Sequence, residues 1–324
     1  MSKYLEYFEG TFDASVTEKV KLENKPYVAY SKIDGVVYTI IPKEDGYNLI
    51  TLKKVDVSNI TYEEVDLGLP SGLKWANKNI GAQTVEDCGA YFSWGNTEGY
   101  TISGTKFLTV DETCQLFSIA TGQTVTTKEE LENTLSQMGS TVDSLGAVDG
   151  YSFDGVTYNG TSGAGFTGDV LDSTHDAATL IMGDGWRMPT IDEYKELVNA
   201  VKTSIEDTEN PLTCTYIYLD KQGNRNEHVV YRENNADYFN ISLPEHSWIL
   251  GFRFTNTSTD DSVYFPACGG VYGPMLADIG IDGYYWSSSI FDTTIAHYFN
   301  FFPVDIYIRY INYRYYGFCV RAVK

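Results

Sequence analysis

The chain has 324 residues, with 44 Asp and Glu residues against 23 Lys and Arg residues, and its formal net charge is −21 at pH 7. Binding to the phosphates of nucleic acid needs a basic stripe, so this charge argues against a nucleic-acid partner. The same charge disfavours binding to an anionic membrane, and no apolar run in the sequence approaches the length of a membrane span.

The first residues, MSKYLEYFEGTFDASV, do not have the basic start and apolar stretch of a Sec signal peptide. We therefore expect the protein to be made in the cytoplasm, and to leave it, if at all, by another route.

Residues 1–62 are predicted to form a small β-rich segment. YVAYSK at 27–32 and VVYTII at 36–41 flank a Gly-containing turn, which predicts a β-hairpin, and NLITLKKVDV continues the β character.

Four tryptophans, at Trp75, Trp94, Trp186 and Trp286, each stand beside Gly, Ser or Ala. Large aromatic rings next to small residues favour close packing of irregular segments, so we predict that these rings lie in a core. An aromatic cage for a ligand is the alternative interpretation.

Two helices are predicted from their N-terminal caps. Thr190 and Glu193 form a capping box, and an apolar face follows it. Thr127 and Glu130 suggest a second, shorter helix. Short β-like runs dominate elsewhere, which favours an α+β domain over residues 63–324. Residues 140–182 are rich in Gly, Asp, Ser and Thr, and this composition predicts a long insertion loop.

The residues of metal and redox chemistry are scattered. The five cysteines contain no CxxC, which argues against a zinc ribbon or a redox pair, and most are expected to be small buried hydrophobes. The four histidines show no pair at i,i+4 and no H-E-x-x-H. We predict no metal site, no cofactor and no catalytic residue.

The last stretch of the chain, 284–323, has an unusual composition. Its two ends, YYWSSS and GFCVRAV, are typical of buried strands. The middle, from Ile290 to Tyr316, is crowded with Tyr, Phe, Ile, Asn, Asp, Thr and His, and it contains no Lys, Glu, Gln, Met or Trp. Those five residues cannot be reached from an Asn codon when only its adenines are randomised.

This arrangement resembles the variable region, here about 287–319, of a diversity-generating retroelement target protein. In that family a reverse transcriptase miscopies template adenines and rewrites the 3′ end of one gene. Relatives read N-x-R-x-x-G-F-S-V-R-P-V, and NYRYYGFCVRAV matches except at Cys319 and Ala322. The alternative interpretation is an ordinary aromatic-rich pair of strands.

Further landmarks lie earlier in the chain. VDLGLPSGLKWANKNIGA, EDCGAYFSWGNTEGY and GDGWRMPTIDEYKELV resemble, in order, the Fibrobacter-type major paralogous domain of Bacteroidetes and their phages. That resemblance implies a C-type-lectin-like fold of the formylglycine-generating-enzyme type. Residues 1–62 resemble the leader of phage proteins, which implies attachment to a virion or formation of a homo-oligomer.

The resemblance implies a non-enzymatic protein that binds a protein or glycan receptor on the surface of a host cell. The binding protein itself would be carried on a phage tail or released by lysis. Tyr offers a large contact area at low entropic cost, and small polar residues add adaptable hydrogen bonds. The predicted ligand-binding residues are Phe291, Asp292, Thr294, His297, Tyr298, Asn300, Phe302, Asp305, Tyr307, Tyr310, Asn312, Tyr313, Tyr315 and Tyr316. We expect many of these side chains to face solvent on one shared face, with Trp286, Phe318 and Val320 pointing inward.

Two rival functions remain open. An invariant surface adhesin or pilus-tip subunit would be expected to carry a Sec or lipoprotein signal. A formylglycine-generating oxidoreductase would be expected to carry a cysteine pair near the C-terminus, where this chain has only Cys319.

Overall fold

The structure is a computed structural model. It describes residues 27–31, 36–43, 46–121, 124–133, 169–233, 238–240, 248–272, 275–292, 294–303, 305–314 and 316–324. The first 26 residues, the turn at 33–35, most of the predicted insertion and Tyr315 lie outside these ranges.

Strands far outnumber helices among the described residues, so the protein is a β-rich mixed structure with few helices. The strands are β1 Tyr27–Ser31, β2 Val36–Lys43, β3 Gly46–Lys54, β4 Glu64–Asp66, β5 Lys74–Ala76, β6 Tyr91–Phe92, β7 Tyr100–Thr109, β8 Leu212–Leu219, β9 Arg225–Val230, β10 Tyr238–Asn240, β11 Trp248–Asn256, β12 Ser262–Pro266, β13 Cys268–Tyr272, β14 Met275–Ile279, β15 Gly283–Ile290, β16 Ile295–Phe301, β17 Asp305–Tyr313 and β18 Phe318–Cys319. The helices are α1 Val110–Thr121, α2 Ala177–Met182 and α3 Ile191–Asn199, and residues 128–133 are also helical. None of the helices in the described part of the chain is both long and apolar enough to cross a bilayer.

The described strands form one large sheet and two smaller ones. The large sheet has the order β1-β2-β3-β7-β6-β18-β15-β16-β17-β10, with β13 and β14 attached beside β15. The second sheet has the order β12-β11-β8-β9, and β4 pairs with β5. The C-terminal strands therefore lie in the middle of the large sheet, where β15 is flanked by β18 and β16.

The N-terminal hairpin is confirmed in its strands, because β1 and β2 pair antiparallel with Tyr27 opposite Ile40 and Ser31 opposite Val36. Strand β3 then pairs along its whole length with β7. This pairing joins strands on both sides of the domain boundary predicted near residue 62. The boundary itself stays a prediction.

Both faces of the large sheet are covered where β15 crosses it, which explains why seven of its eight residues are buried. Neighbouring side chains on a strand point to opposite faces. Tyr285 faces a core shared with the second sheet and α3, in which Phe265 contacts its ring edge at 5.0 Å. Trp286 faces a second core that includes Trp94 and Phe318.

The predicted burial of the tryptophans is confirmed. Trp75, Trp94 and Trp286 are fully buried and Trp186 is 6% exposed. Phe318 and Val320 are also fully buried, as predicted for framework positions, and so is Trp286.

The capping box of α3 is confirmed. The Thr190 side chain accepts a hydrogen bond from the backbone N–H of Glu193, whose carboxylate accepts one from the N–H of Thr190. The apolar face of α3 is buried, and Tyr194 stacks on Phe299 of β16 with ring centroids 4.9 Å apart. Thr127 and Glu130 form the same reciprocal contact at the start of the helical residues 128–133, with Leu131 fully buried.

The prediction of a loop throughout residues 140–182 is wrong at its C-terminal end, where α2 forms. The Asp176 carboxylate caps this helix by accepting a hydrogen bond from the N–H of Thr179. Ala177 and Ala178 bury the first turn in the second core. The composition of the surrounding residues concealed this short capped helix.

The expectation that most of the five cysteines are small buried hydrophobes is confirmed, but the sequence did not predict that two of them are bonded. Cys88 and Cys268 form a disulfide across 180 residues, whereas Cys114, Cys214 and Cys319 are buried and free. Near the disulfide, the buried guanidinium of Arg321 donates to Oδ1 of Asn79 and to a backbone carbonyl, and burial lowers the pKa of Arg321 to about 10. These contacts fasten the C-terminal residues to the first segments of the domain.

Candidate binding surface

The middle of the predicted variable region forms an antiparallel ribbon of β16 and β17. Ile295 pairs with Tyr313, His297 with Ile311, and Tyr298 with Tyr310. Paired residues share a face of the sheet and their neighbours point the other way. His297, Ile311 and Tyr313 therefore lie on one face, and Tyr298 and Tyr310 on the other.

Strand β17 is the edge of the described sheet over most of its length. Strand β10 covers only the start of β17, with Tyr238 opposite Tyr307 and Asn240 opposite Asp305. Among the described strands, none pairs with residues 308–313 on that side. An edge strand has fewer neighbours to cover it, so side chains on both of its faces reach solvent there.

Four exposed large apolar side chains lie at or beside this edge. Phe291 is 54% exposed, Tyr310 45%, Tyr313 39% and Ile311 38%. The Phe291 ring contacts the imidazole of His297 edge-on at 5.4 Å between centroids. We call Phe291, His297, Tyr310, Ile311 and Tyr313 the aromatic edge.

Tyr298, by contrast, is 2% exposed and belongs to the second core. Its ring contacts Phe318, Tyr284 and Trp286 at centroid distances between 5.0 and 6.0 Å. Burial raises the pKa of its hydroxyl, which is hydrogen-bonded to the Asn312 side chain.

Asn300 lies beyond an irregularity in the ribbon, where the register of β16 against β17 shifts between Tyr298 and Asn300. Asn300 is fully buried, and its amide nitrogen and oxygen have no hydrogen-bond partner among the described residues. The flanking Phe299 and Phe301 are also fully buried.

The expectation of one shared exposed face is therefore wrong in two respects. The exposed residues of the ribbon lie on both faces of its edge strand, and Tyr298 and Asn300 are not exposed at all. The physical reason is that β16 is an inner strand between β15 and β17, where Tyr298 packs against Trp286, whereas the last residues of β17 lie at the edge.

The predicted site residues divide as follows. Exposed are Phe291, Asp292, Thr294, Tyr310 and Tyr313. Half-buried are His297, Phe302, Asn312 and Tyr316. Buried are Tyr298 and Asn300. The side chains of Asp305 and Tyr307, and the whole of Tyr315, lie outside what the structure describes.

Ile311 was missed, although it is as exposed as Tyr313. Only aromatic and polar residues of this segment were predicted to contact the ligand, and aliphatic residues were not. The alternation of β17 is the signal that finds it, because Ile311 is two residues from Tyr313 and shares its face.

Asp292 shapes the connection between β15 and β16. Its Oδ1 accepts hydrogen bonds from the N–H of Thr294 at 2.7 Å, from the Thr294 hydroxyl at 2.9 Å and from the N–H of Ile295 at 2.8 Å. Burial alone would raise the pKa of Asp292, but these hydrogen bonds outweigh it and lower the pKa. The carboxylate therefore stays ionised at neutral pH.

A metal site and a reactive thiol are the other kinds of chemistry that the described residues could carry. No group of three or more His, Cys, Asp or Glu side chains there is arranged to hold a metal ion. Burial raises the pKa of the free thiol of Cys319. A small cavity of about 30 Å³ is lined by Glu86, Cys88, Arg225 and Trp248 among others, and it has room for little more than a water molecule.

Comparison of the chain with protein-family models, with curated proteins and with solved structures gives no significant match.

Proposed function

We propose that the protein is a non-enzymatic receptor-binding protein with a C-type-lectin-like fold, and that its aromatic edge contacts the receptor. The proposed receptor is a protein or glycan on the surface of a host cell, and the proposed setting is a phage or prophage of a Bacteroidetes host. The N-terminal strands serve to attach the protein to a virion or to further copies of itself.

One observation carries this proposal: the proposed framework positions are buried, whereas part of the segment with the restricted residue set is exposed at the sheet edge, even though Tyr298 and Asn300 of that segment are buried. Trp286, Phe318 and Val320, which belong to the motif that the resemblance identifies as fixed, are fully buried. Phe291, Tyr310 and the other exposed members of the edge come from the segment with the restricted residue set. A diversified protein needs this separation, because changes at its surface must leave the core intact.

The chemistry of the aromatic edge suits recognition. Exposed Tyr and Phe side chains give a large rigid contact area, and binding energy in interfaces concentrates on such residues. A cluster of partly exposed large apolar side chains is also a mark of an interaction site.

The ordered landmarks support the proposed fold. The segments around Trp75, Trp94, Trp186 and Trp286 are far apart in sequence but converge on two neighbouring cores. Arg321, from the last landmark, reaches the carbonyl of Ala76 in the first.

The disulfide favours a protein that works outside a reducing cytoplasm, because such bonds persist in secreted proteins and on virion or cell surfaces. This fits a virion-associated binder and also an invariant surface adhesin, which is the second candidate. The enzyme alternative would need a reactive thiol, and a fully buried Cys319 with a raised pKa argues against it.

A binding experiment tests the proposal. Phe291, Tyr310 and Tyr313 are replaced together by Ser, and binding to cells of candidate Bacteroidetes hosts is measured by flow cytometry. We expect a loss of about 30-fold or more, since a hot-spot side chain is worth roughly 2 kcal/mol and each 1.4 kcal/mol is tenfold.

The matched control replaces three exposed apolar residues elsewhere, Leu180, Ile205 and Val229, by Ser. This control should bind as the wild type does. Equal binding by both triple variants would exclude the aromatic edge as the contact surface.

A further inference from the structure

Arg314 follows the last residue of β17, and its side chain is buried against Trp94. It is 4% exposed, and its guanidinium lies over the indole of Trp94 with its central carbon 4.4 Å from the ring centroid. Trp94 is itself fixed, because it is fully buried and its Nε1 donates to the carbonyl of Ser287 in β15 at 2.7 Å. The guanidinium therefore rests on a buried, hydrogen-bonded part of the scaffold.

From this position Arg314 forms hydrogen bonds with the main chain of the connection between β15 and β16. Its Nη2 donates to the carbonyl oxygen of Asp292, and its backbone N–H donates to the carbonyl oxygen of Thr294 at 3.0 Å. Its own carbonyl accepts a hydrogen bond from the N–H of Trp94 at 2.8 Å. The scaffold, Arg314 and the connection are thus joined in one chain of hydrogen bonds.

The groups that Arg314 holds in the connection are carbonyls, which every amino acid has. The side chains of Phe291 and Thr294 are exposed, and they lie outside the contact. The contacts of Arg314 with these two carbonyls therefore do not depend on which side chains stand at 291 and 294, although the Thr294 hydroxyl also donates to Oδ1 of Asp292 at 2.9 Å. Asp292 differs, because its side chain also closes the turn.

We infer that Arg314, which stacks on Trp94, is the positioning residue that fixes the main chain of the β15–β16 connection. The outward-facing side chains of the connection can therefore change. Arg suits this role better than Lys, because its planar guanidinium stacks on an indole and presents several donors in a fixed geometry. A Lys at this position keeps the charge but loses the stacking on the indole and the fixed arrangement of several N–H donors.

This inference deepens the proposed function and depends on it only for its biological purpose. The contact itself is tested without a receptor. Amide hydrogen exchange of a peptide covering 290–296 is compared with that of β8, a buried strand of the second sheet, in the full-length protein. The variants are Arg314→Met, Arg314→Lys, Phe291→Ala and Thr294→Ala.

We expect Arg314→Met to speed exchange in the 290–296 peptide by about tenfold or more while β8 exchanges as in the wild type, since local opening is separable from global unfolding. Arg314→Lys should give an intermediate increase. Phe291→Ala should stay within about twofold of the wild type, whereas Thr294→Ala, which loses the hydroxyl bond to Asp292, should speed exchange by less than Arg314→Met does.

Three outcomes would overturn the inference. The first is unchanged exchange in the 290–296 peptide of Arg314→Met. The second is an increase in Phe291→Ala as large as that in Arg314→Met. The third is an equal increase in β8 in both the Met and the Lys variant, which would make Arg314 a residue of global stability. None of these outcomes bears on host binding, so failure of this inference is distinguishable from failure of the proposed function.

Discussion

The indole nitrogen of Trp286 donates a hydrogen bond to the backbone carbonyl of Phe92 at 2.8 Å, across 194 residues of sequence. This bond joins β15, which leads into the ribbon of β16 and β17, to β6, which belongs to an early landmark in the sequence. The ribbon of β16 and β17 therefore starts from a strand that is locked on both faces, and its far edge is free to carry exposed residues.

Replacing Trp286 by Ala should lower the free energy of unfolding by roughly 3–5 kcal/mol, because the change removes a fully buried ring and leaves a cavity. Urea unfolding followed by circular dichroism measures this. Tyr313→Ala is the comparison, and as a surface change it should cost about 0.5 kcal/mol or less. Similar costs for the two variants would contradict the division into framework and surface.

The disulfide should contribute measurably to stability, since it closes a loop of 180 residues between Cys88 and Cys268. Replacing both by Ser should cost roughly 2–5 kcal/mol. In thermal melts, a reductant should lower the Tm of the wild type and leave that of the double variant unchanged. If the wild-type Tm, measured in a low concentration of denaturant, were the same with and without reductant, the disulfide would have no structural role.

Cys319→Ser should fold and keep receptor binding. The thiol is buried and donates to the carbonyl of Cys88 at 3.4 Å, a contact that a Ser hydroxyl can also make. Host-cell binding of the purified variant, next to its Tm, provides the measurement. If the variant folded but lost all activity, the enzyme alternative would replace the binder.

Glu193 should make part of the stability depend on pH. Burial would raise its pKa, but its hydrogen bonds with Arg187 and Thr190 outweigh burial, and the pKa is lowered. A lowered pKa means that this contribution is fully present above the ordinary Glu value of about 4.3 and is lost as the pH falls through the folded-state pKa. Tm measured between about pH 7 and pH 3 should fall less in Glu193→Gln than in the wild type. Parallel curves would contradict the assignment.

Local features of the fold were predictable from sequence. The Thr190 capping box and the strands of the N-terminal hairpin depend on residues close together in the chain, and the small residues beside Trp286 indicated its burial although the side chains that bury it are distant in sequence. Contacts between distant segments were not predictable from the sequence. Nothing in the spacing of Cys88 and Cys268 indicates their bond, since Cys88 lies in an early landmark, Cys268 lies outside every landmark, and sequence alone does not fix pairing.

The candidate site was predictable as a segment but not residue by residue. Composition indicated where the exposed aromatic residues would lie, and Phe291, Tyr310 and Tyr313 are exposed. Composition could not indicate that Tyr298 and Asn300 are buried, because their burial depends on the position of β16 between β15 and β17 and, for Tyr298, on the second core with Trp286 and Phe318.

The claim that this ribbon is a diversified binding surface is tested most directly by sequencing the gene and its flanking DNA in many copies from one population. We predict a nearby reverse transcriptase gene, a near-copy of the 3′ end that differs only at adenines, and substitutions confined to codons 290–316. The codons of Phe291, Tyr310 and Tyr313 should vary, and those of Trp286 and Phe318 should not. A 3′ end that is identical in all copies, with no near-copy beside it, would contradict the account.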